Sequence, residues 1–488
     1  MSSLTQHVTR RKLIVLLGSL SAGALVVACG GGSPAAPTAA PAAATATGAG
    51  ASPAKPTVAA AAQPTAAPTA AAASQAKPTA APAQAAPAGT ATTVSYWHIW
   101  GGVRTKQLQD ILDNFTKANP SIKVQPLLIP NPGYQDKIIP ALAGSPPDLT
   151  MAYTDVFAPA AKQGALRRVD ELLSRDKIDP KAWYAGVWNL ALWQGVPYGL
   201  PYIGNFIFLL YWNKSMFKSA GLDPEKAPVT WDEMLADTQK LTVLSNGRLE
   251  RMGYQTSSND FRHGVYNNGA MILDPNTGKS TVKDPKAVAA MTWALQLVDA
   301  QGGNDKVSAA TQAFKDAQLN DPLEAEKGAM ITSGVFTINL IQQQTPKLSY
   351  SVGKIPHGPS GQSRDLVMGS WNNAMPTKGQ NADAAWALSV YLSYGKGQQD
   401  FMRIQDRPAM IRAFNEPPND VFYKKSNPFW STILDVINST VSYPNSDKLG
   451  QIDRTVDEAY QNVTAKKMTP AQAIDWLDQQ IGTITGGG

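Results

Sequence analysis

Beyond about residue 91, hydrophobic positions recur with the periods of both strands and helices. Residues 94–97 (Val-Ser-Tyr-Trp) have the composition of a strand, and a Gly-Gly turn follows at 101–102. After this turn, apolar residues at i, i+3, i+4 and i+7 predict an amphipathic helix. Its apolar face comprises Leu108, Ile111, Leu112 and Phe115. Because residues 122–124 (Ile-Lys-Val) resume the strand pattern, we expect an α/β fold with a mostly parallel sheet.

Capping residues mark the starts of several helices further along the chain. Thr230, followed three residues later by Glu233, has the pattern of a capping box. Asp284 and Thr469 are each followed by proline, which favours the first helical position. These signals predict helices that begin at 231, 285 and 470.

The first 28 residues have the layout of an export signal, with basic residues at 10–12 and an apolar run of about 15 residues. That run is shorter than the roughly 20 residues needed to cross a bilayer. Residues 26–29 resemble the bacterial lipobox, which implies cleavage before Cys29 and lipidation of its sulfur. The alternative is a buried free cysteine, but the residues around Cys29 offer no core. Residues 9–14 also resemble a twin-arginine signal, so both export routes stay open.

Residues 30–90 consist almost entirely of Ala, Pro, Thr, Gly, Ser and Gln, and contain no Leu, Ile, Phe, Tyr or Trp. Such a segment cannot bury enough apolar surface to offset the entropy of ordering. We therefore expect residues 29–91 to form a lipid anchor and a disordered linker. The chain would attach to the outer face of the cell membrane through the lipid alone, with a folded body over residues 92–488.

The charge of the chain is concentrated outside this folded body. The formal net charge is +6, from 43 basic and 37 acidic residues, and residues 1–90 contribute five basic residues and no acidic one. Subtracting those five leaves 38 basic against 37 acidic residues, or about +1. The body therefore lacks the basic excess typical of nucleic-acid binding.

Few residues suit catalysis or metal binding. The histidines are His7, His98, His263 and His357, and Cys29 is the only cysteine. No HExxH helix, GxSxG elbow, Walker A loop or dinucleotide fingerprint occurs. We therefore expect no cofactor, no metal and no enzymatic activity. The alternative of a surface-anchored carbohydrate-active enzyme stays open, since folding can assemble a carboxylate pair.

Aromatic residues next to Gly, Asn and Asp are instead frequent in predicted loops. They occur at residues 97–102, 153–155, 202–205 and 369–373. Sugar recognition uses this combination, because pyranose rings stack on aromatic faces while polar groups bind the hydroxyls. Packing in the core is the alternative for any single tryptophan.

Several segments resemble, in order, the extracellular solute-binding proteins of ABC importers, in the carbohydrate-binding family related to maltose-binding protein. One example is Gly-Ser-Pro-Pro-Asp-Leu at 144–149, and another is Tyr-Gly-Leu-Pro at 198–201 followed by Tyr-Trp-Asn-Lys at 211–214. The other segments are 97–98, 163–172, 230–233, 326–334, 366–376, 384–393 and 469–473.

This resemblance implies a type II periplasmic-binding-protein fold of two α/β lobes joined by hinge crossovers. Lobe 1 would comprise about 92–203 and 365–410, and lobe 2 about 204–364 and 411–488. A sugar or oligosaccharide would bind between the lobes and close them. The partners would be ABC permease subunits with a cytoplasmic ATPase, and we expect a monomer. Another polar solute, such as a polyol, a glycerol phosphodiester or a peptide, is the alternative ligand.

The resemblance also implies ligand-binding positions. Asp155 lies seven residues after Asp148, where the maltose-binding relative carries a carboxylate that binds ligand, and Phe336 replaces the usual stacking tryptophan. Trp371 would supply a stacking face instead, while His98 has the alternative role of a hydrogen-bonded histidine at a strand end. The implied ligand-binding set is Trp97, His98, Trp100, Tyr153, Asp155, Tyr202, Asn205, Phe336, Trp371, Asn372, Arg407 and Trp430.

Overall fold

The computed structural model describes residues 91–486, except 131–132, 205–206, 276, 317–322, 324, 362–364 and 444. The predicted signal peptide, the lipidation site Cys29 and the predicted linker up to residue 90 lie outside the described residues. The predicted site residue Asn205 lies outside them as well. Within the described part of the chain, no helix combines the length and the apolar character of a membrane span.

The strands are, in chain order, β1 (Thr92–His98), β2 (Ile122–Leu128), β3 (Leu149–Tyr153), β4 (Leu192–Trp193), β5 (Val196–Pro197), β6 (Gly199–Gly204), β7 (Phe208–Asn213), β8 (Val243–Ser245), β9 (Arg248–Tyr254), β10 (Gly328–Gly334), β11 (Tyr350–Gly353), β12 (Leu366–Val367), β13 (Ser370–Ala374) and β14 (Val441–Ser442).

The helices are α1 (Val103–Ala118), α2 (Tyr134–Ala143), α3 (Thr154–Lys162), α4 (Asp170–Arg175), α5 (Ala185–Trp188), α6 (Lys214–Ser219), α7 (Trp231–Leu241), α8 (Ser258–Asn267), α9 (Pro285–Asp299), α10 (Asn304–Asp316), α11 (Phe336–Gln344), α12 (Ala382–Ser393), α13 (Lys396–Ile404), α14 (Arg412–Asn415), α15 (Val421–Ser426), α16 (Trp430–Asn438), α17 (Leu449–Thr464) and α18 (Pro470–Thr485).

The sequence patterns for these elements are confirmed. All four apolar residues predicted for the face of α1 are buried. Thr230 and Glu233 form a capping box at α7, and Asp284 and Thr469 cap α9 and α18 ahead of a proline. Local capping and periodicity therefore place these helices correctly.

The first lobe is built on a sheet with strand order β2-β1-β3-β13-β6. Strands β1, β2 and β3 run parallel, whereas β13 runs antiparallel to β3 and β6. Because Trp371 lies opposite Tyr153 and Ser370 lies opposite Gly204, the start of β13 shares an edge with the carboxyl ends of β3 and β6. The carboxyl end of β1 lies at the same edge, since β1 is parallel to β3. In open α/β sheets, ligands bind outside this edge.

The second lobe is built on a sheet with strand order β11-β7-β10-β9-β8. Strand β10 is antiparallel to β7 and parallel to β9. Gly334 at the end of β10 lies opposite Phe208 at the start of β7, and α11 begins two residues later at Phe336. The result is the predicted two-lobed α/β architecture.

Residues 411–438 contact both lobes, although the prediction assigned them to lobe 2. Ile411 forms a β-bridge with Trp183, and the Asn415 amide donates a hydrogen bond to the Tyr184 hydroxyl at 3.1 Å, both in lobe 1. At the other end, the Phe429 ring lies 5.3 Å from the Tyr350 ring in lobe 2. This segment, here called the bridging segment, therefore contacts residues of both lobes. The remaining lobe boundaries stay a prediction.

Candidate functional site

The two lobes approach each other where the edge of the first sheet faces the start of α11. Arg407 follows α13 in lobe 1, and its guanidinium carbon lies 5.5 Å from the ring centroid of Phe336 in lobe 2. The loops that follow β1 and β3 begin at the sheet edge where β13 starts. We therefore take this region between the lobes as the candidate ligand-binding cleft.

His98, at the end of β1, is buried and shapes the turn that follows the strand. Its Nδ1 atom accepts a hydrogen bond from the backbone N–H of Trp100 at 3.1 Å. Burial lowers the pKa of His98 to about 4, so the ring is neutral at physiological pH. This arrangement is the hydrogen-bonded histidine that the sequence left as an alternative. A role for His98 in binding ligand stays a prediction.

The aromatic residues predicted beside His98 pack largely within lobe 1. Trp100 is buried and makes edge-on contacts with Tyr202 and Phe401, at centroid distances of 6.4 and 5.1 Å. Tyr202 is also buried and stacks on Phe401. Trp97 is half-buried against the same core. Their packing explains why these residues are aromatic, and contact with ligand stays a prediction.

Two arginines of lobe 1 influence each other at this part of the cleft. Arg104 is in the first turn of α1, and its guanidinium carbon lies 5.7 Å from the Trp100 ring centroid. Arg407 is only 6% exposed, and burial together with the charge of Arg104 lowers the pKa of Arg407 to about 9. The two cations are therefore close enough to repel each other. We call Trp100, Arg104, Phe336 and Arg407 the basic end of the cleft.

The glycine turn before α1 positions Arg104. Gly102 precedes the helix with φ +61° and ψ −137°, a backbone conformation that residues with a side chain rarely adopt. No side chain caps this helix start, and its first turn contains no acidic residue. Arg104 thus sits at the positive end of the helix dipole, where a cation is disfavoured.

Asp155 lies in the first turn of α3, directly after β3. Burial raises the pKa of Asp155, and the charge of Asp453 in lobe 2 raises it further, while the N–H groups of Val156 and of Asp155 itself lower it. The Oδ1 atom of Asp155 is buried without a hydrogen-bond partner. Tyr153 lies beside it, and burial raises the pKa of Tyr153 to about 12, with smaller contributions from Asp155 and Asp453. A polar ligand group that donates a hydrogen bond would satisfy the free oxygen.

In lobe 2, Arg262 forms ion pairs with two carboxylates, although its Nε atom has no hydrogen-bond partner in the described part of the chain. Arg262 on α8 is 3% exposed, and its Nη2 atom donates to the Asp453 carbonyl oxygen at 2.9 Å. Its Nη1 atom lies 2.9 Å from the Asp457 carboxylate, and Tyr443 donates to Asp453 Oδ1 at 3.1 Å. We call Tyr153, Asp155, Arg262 and Asp453 the acidic end of the cleft.

Trp371 and Asn372 lie on β13 beside Tyr153. Trp371 is 3% exposed and packs edge-on against Tyr134, with its ring centroid 5.1 Å from that of Tyr153. The Asn372 amide donates to the Leu190 carbonyl at 3.2 Å and accepts from the Ser370 hydroxyl at 3.1 Å. Both groups of the Asn372 side chain are therefore used within lobe 1.

The structure thus brings most of the predicted residues to one edge. Trp430 instead stacks on Tyr423 within the bridging segment, with ring centroids 4.2 Å apart. The sequence prediction missed Arg104, Arg262 and Asp453. The position of Arg104, a basic residue just after the Gly-Gly turn at the end of a strand, could have identified it as a candidate for the cleft. Arg262 and Asp453 are 191 positions apart, so no local pattern could pair them.

Over the described ranges, no group of three or more His, Cys, Asp or Glu residues is arranged to hold a metal ion. Among the described residues of the cleft, the buried polar atoms without a hydrogen-bond partner include Asp155 Oδ1 and Arg262 Nε at the acidic end and Arg407 Nε and Trp100 Nε1 at the basic end. This arrangement suits a ligand held by hydrogen bonds and charge.

The comparison with known families and proteins agrees with this architecture. The profile described as bacterial extracellular solute-binding protein matches residues 101–398. A probable ABC transporter-binding protein of Deinococcus radiodurans is 26% identical over 299 residues, which cover 57% of this chain and 67% of that protein.

Two further similarities cover more of the chain. The sn-glycerol-3-phosphate-binding periplasmic protein UgpB of Salmonella typhimurium is 23% identical over 411 residues, which cover 79% of this chain and 90% of that protein. The solved structure of CpMnBP1 with mannotriose bound superposes with a TM-score of 0.67 at 24% identity. That superposition covers 80% of this chain and 100% of CpMnBP1, and it shows that the two folds are the same.

Proposed function

Because this chain belongs to the family of bacterial extracellular solute-binding proteins, we propose that it captures a sugar or oligosaccharide between its lobes for an ABC importer. The bound solute is handed to membrane permease subunits that work with a cytoplasmic ATPase. The chain acts outside the cytoplasm as a monomer, without a cofactor.

The observation that carries this proposal is the free Oδ1 atom of Asp155, buried beside Tyr153 at the sheet edge where α/β proteins bind ligands. A sugar hydroxyl can donate a hydrogen bond to this oxygen. Aromatic rings adjoin it, since Tyr153 contacts Trp371. Carboxylates and aromatic rings together are the groups that bind the polar edges and apolar faces of a pyranose.

Capture by closure follows from how the two lobes are joined. The chain crosses from β6 in lobe 1 to β7 in lobe 2, and the bridging segment contacts Tyr184 in lobe 1 and Tyr350 in lobe 2. A ligand that contacts Asp155 and the opposing lobe binds the closed form better than the open form. It therefore shifts the population towards closure.

The anchor is a separate part of the proposal and rests on the sequence alone. Lipidation of Cys29 would attach the chain to the membrane, and residues 30–90 would give the body reach. Cys29→Ser removes the thiol that is alkylated, so we expect the protein to leave the membrane fraction or to accumulate as an unprocessed precursor. A processed Cys29→Ser protein that still sediments with membranes would contradict the anchor.

The alternative ligand class has one supporting observation. UgpB, which is named for sn-glycerol 3-phosphate, is similar to this chain over 79% of its length. A glycerol phosphate or another small polar solute is therefore the second candidate.

Isothermal titration of the intact protein against mannotriose, maltose, galactobiose, digalacturonate, sn-glycerol 3-phosphate and a tripeptide tests the proposal. We expect saturable binding of at least one saccharide, a ligand-dependent rise in melting temperature and no new reducing ends. Release of reducing ends would support a surface-anchored carbohydrate-active enzyme instead. Binding of only the tripeptide would contradict a saccharide ligand.

A further inference from the structure

Arg407 is a buried cation, and no carboxylate in the described part of the chain forms an ion pair with it. Among the described residues, the arginines that form ion pairs are Arg168, Arg175, Arg262 and Arg412. Arg407 is 6% exposed, and its Nε atom has no hydrogen-bond partner in the described part of the chain. A buried charge is normally paired, because removing it from water is unfavourable.

The surroundings of Arg407 add positive charge. Arg104 is near enough to disfavour the charged form of Arg407. The uncapped start of α1, which carries Arg104, places the positive end of a helix dipole at the same place. A hydrogen bond between the side chains of Gln405 and Gln107 holds the end of α13 against α1. Three sources of positive potential therefore converge at the basic end.

Each arginine of the basic end lies beside an aromatic ring. The guanidinium carbon of Arg104 is 5.7 Å from the Trp100 ring centroid, and that of Arg407 is 5.5 Å from the Phe336 ring centroid. A guanidinium beside a ring keeps N–H donors that can bind carboxylate or phosphate oxygens in pairs. A neutral hydroxyl would not offset the repulsion between the two arginines.

We infer that the ligand of this cleft carries an anionic group, a carboxylate or a phosphate, which Arg407 and Arg104 bind between Trp100 and Phe336. This inference rests on the proposed function and names its substrate class: an acidic sugar, either a uronate-containing saccharide or a sugar phosphate.

Matched ligand pairs test the inference on the intact protein. The carboxylate pair is digalacturonate and galactobiose, the phosphate pair is glucose 6-phosphate and glucose, and inorganic phosphate tests the ion alone. We expect one acidic sugar to bind at least about tenfold more tightly than its neutral partner. This preference should shrink between about 50 and 500 mM NaCl, because salt screens charge. The pair that shows the preference identifies the anion as carboxylate or phosphate.

Two variants and one control assign the preference to these residues. Arg407→Gln and Arg104→Gln should each reduce the ratio of acidic-sugar affinity to neutral-sugar affinity at least about fivefold. Arg248→Gln removes the same charge from an exposed position in β9 and should leave the preference unchanged. If Arg407→Gln does not fold, Arg104→Gln and the salt dependence of the wild type still decide the question.

The outcomes separate this inference from the proposed function. Tight binding of a neutral sugar with no acidic preference would overturn the inference and support sugar capture. A preference that survives both substitutions would also overturn the inference, since the anion would bind elsewhere. Binding of inorganic phosphate alone, with no sugar, would contradict both the inference and the proposed function.

Discussion

The two ends of the cleft each contain a buried arginine, but among the described residues only Arg262 forms ion pairs with carboxylates. Arg262, at the acidic end, contacts Asp453 and Asp457 across α8 and α17. Arg407, at the basic end, is buried, and the charge of a second arginine, Arg104, lowers its pKa further. The contrast indicates that Arg262 stabilises lobe 2, whereas the counter-ion of Arg407 is supplied by the ligand.

A complementary group lies free at the acidic end. Asp155 has a buried oxygen without a partner, even though Arg262 is on the opposing lobe. One end of the cleft therefore offers an acceptor for hydroxyl groups, and the other end offers donors for an anion. A ligand that spans both ends would carry hydroxyls on one side and a negative charge on the other.

Removing the paired arginine should have the largest effect on folding. Arg262→Gln leaves the partly exposed carboxylates of Asp453 and Asp457 without their cation, so we expect a loss of roughly 2–4 kcal/mol of unfolding free energy. Urea denaturation measures it. Arg454→Gln removes an exposed arginine from the same helix as Asp453 and should change the unfolding free energy little. Equal stability of Arg262→Gln and the wild type would show that the paired arginine is not structural.

Removing Arg407, which forms no ion pair with a described residue, should not lower the unfolding free energy and should even raise it. Arg407→Met replaces a buried lone charge by an apolar side chain, and we expect the ligand-free protein to be equally stable or stabilised by about 1–2 kcal/mol. Melting without ligand checks this expectation. A loss comparable to that of Arg262→Gln would mean that Arg407 is paired within the protein.

The pH dependence of this difference follows from the lowered pKa of Arg407. Burial and Arg104 lower this pKa to about 9, so the unfolded chain binds more protons than the folded chain between about pH 9 and the usual arginine range. The stability deficit of the wild type relative to Arg407→Met should be constant below about pH 9 and shrink above it. A deficit that grows with alkaline pH would contradict the assignment.

A smaller effect is expected at the acidic end, on ligand affinity alone. Asp155→Asn keeps the shape of the side chain but weakens a hydrogen bond to a charged acceptor, at a cost of about 1–3 kcal/mol, or roughly tenfold or more in affinity. Asp110→Asn, on the exposed face of α1, is the control. If Asp155→Asn lowers the melting temperature and leaves affinity unchanged, Asp155 serves only the first turn of α3.

Local patterns in the sequence predicted much of the fold. The apolar stripe of α1 and the caps of α7 and α18 depend on residues within a turn of each other, and all were confirmed. The resemblance to a family then supplied the two lobes. Contacts across the chain were not predictable in this way. The bridging segment was assigned to one lobe because nothing in its sequence shows that Asn415 hydrogen-bonds to Tyr184.

The candidate site was predicted at the level of the sheet edge rather than at the level of individual contacts. Tyr153 ends β3, and Asp155 and Trp100 follow β3 and β1, which share that edge, so strand order placed these residues together. The burial of individual side chains could not be predicted from the sequence. Trp371, Tyr202 and Asn372 are packed inside lobe 1, and only the folded chain shows which polar atoms remain without partners.

The most direct test of this account is a parallel isothermal titration of the wild type, Asp155→Asn and Arg407→Gln with the saccharide that binds most tightly. If one ligand contacts both ends of the cleft, it should bind with a stoichiometry of one. Each variant should then bind it about tenfold more weakly or worse, without a lower melting temperature. Equal affinity in all three proteins would contradict the account, because the ligand would then contact neither end of the cleft.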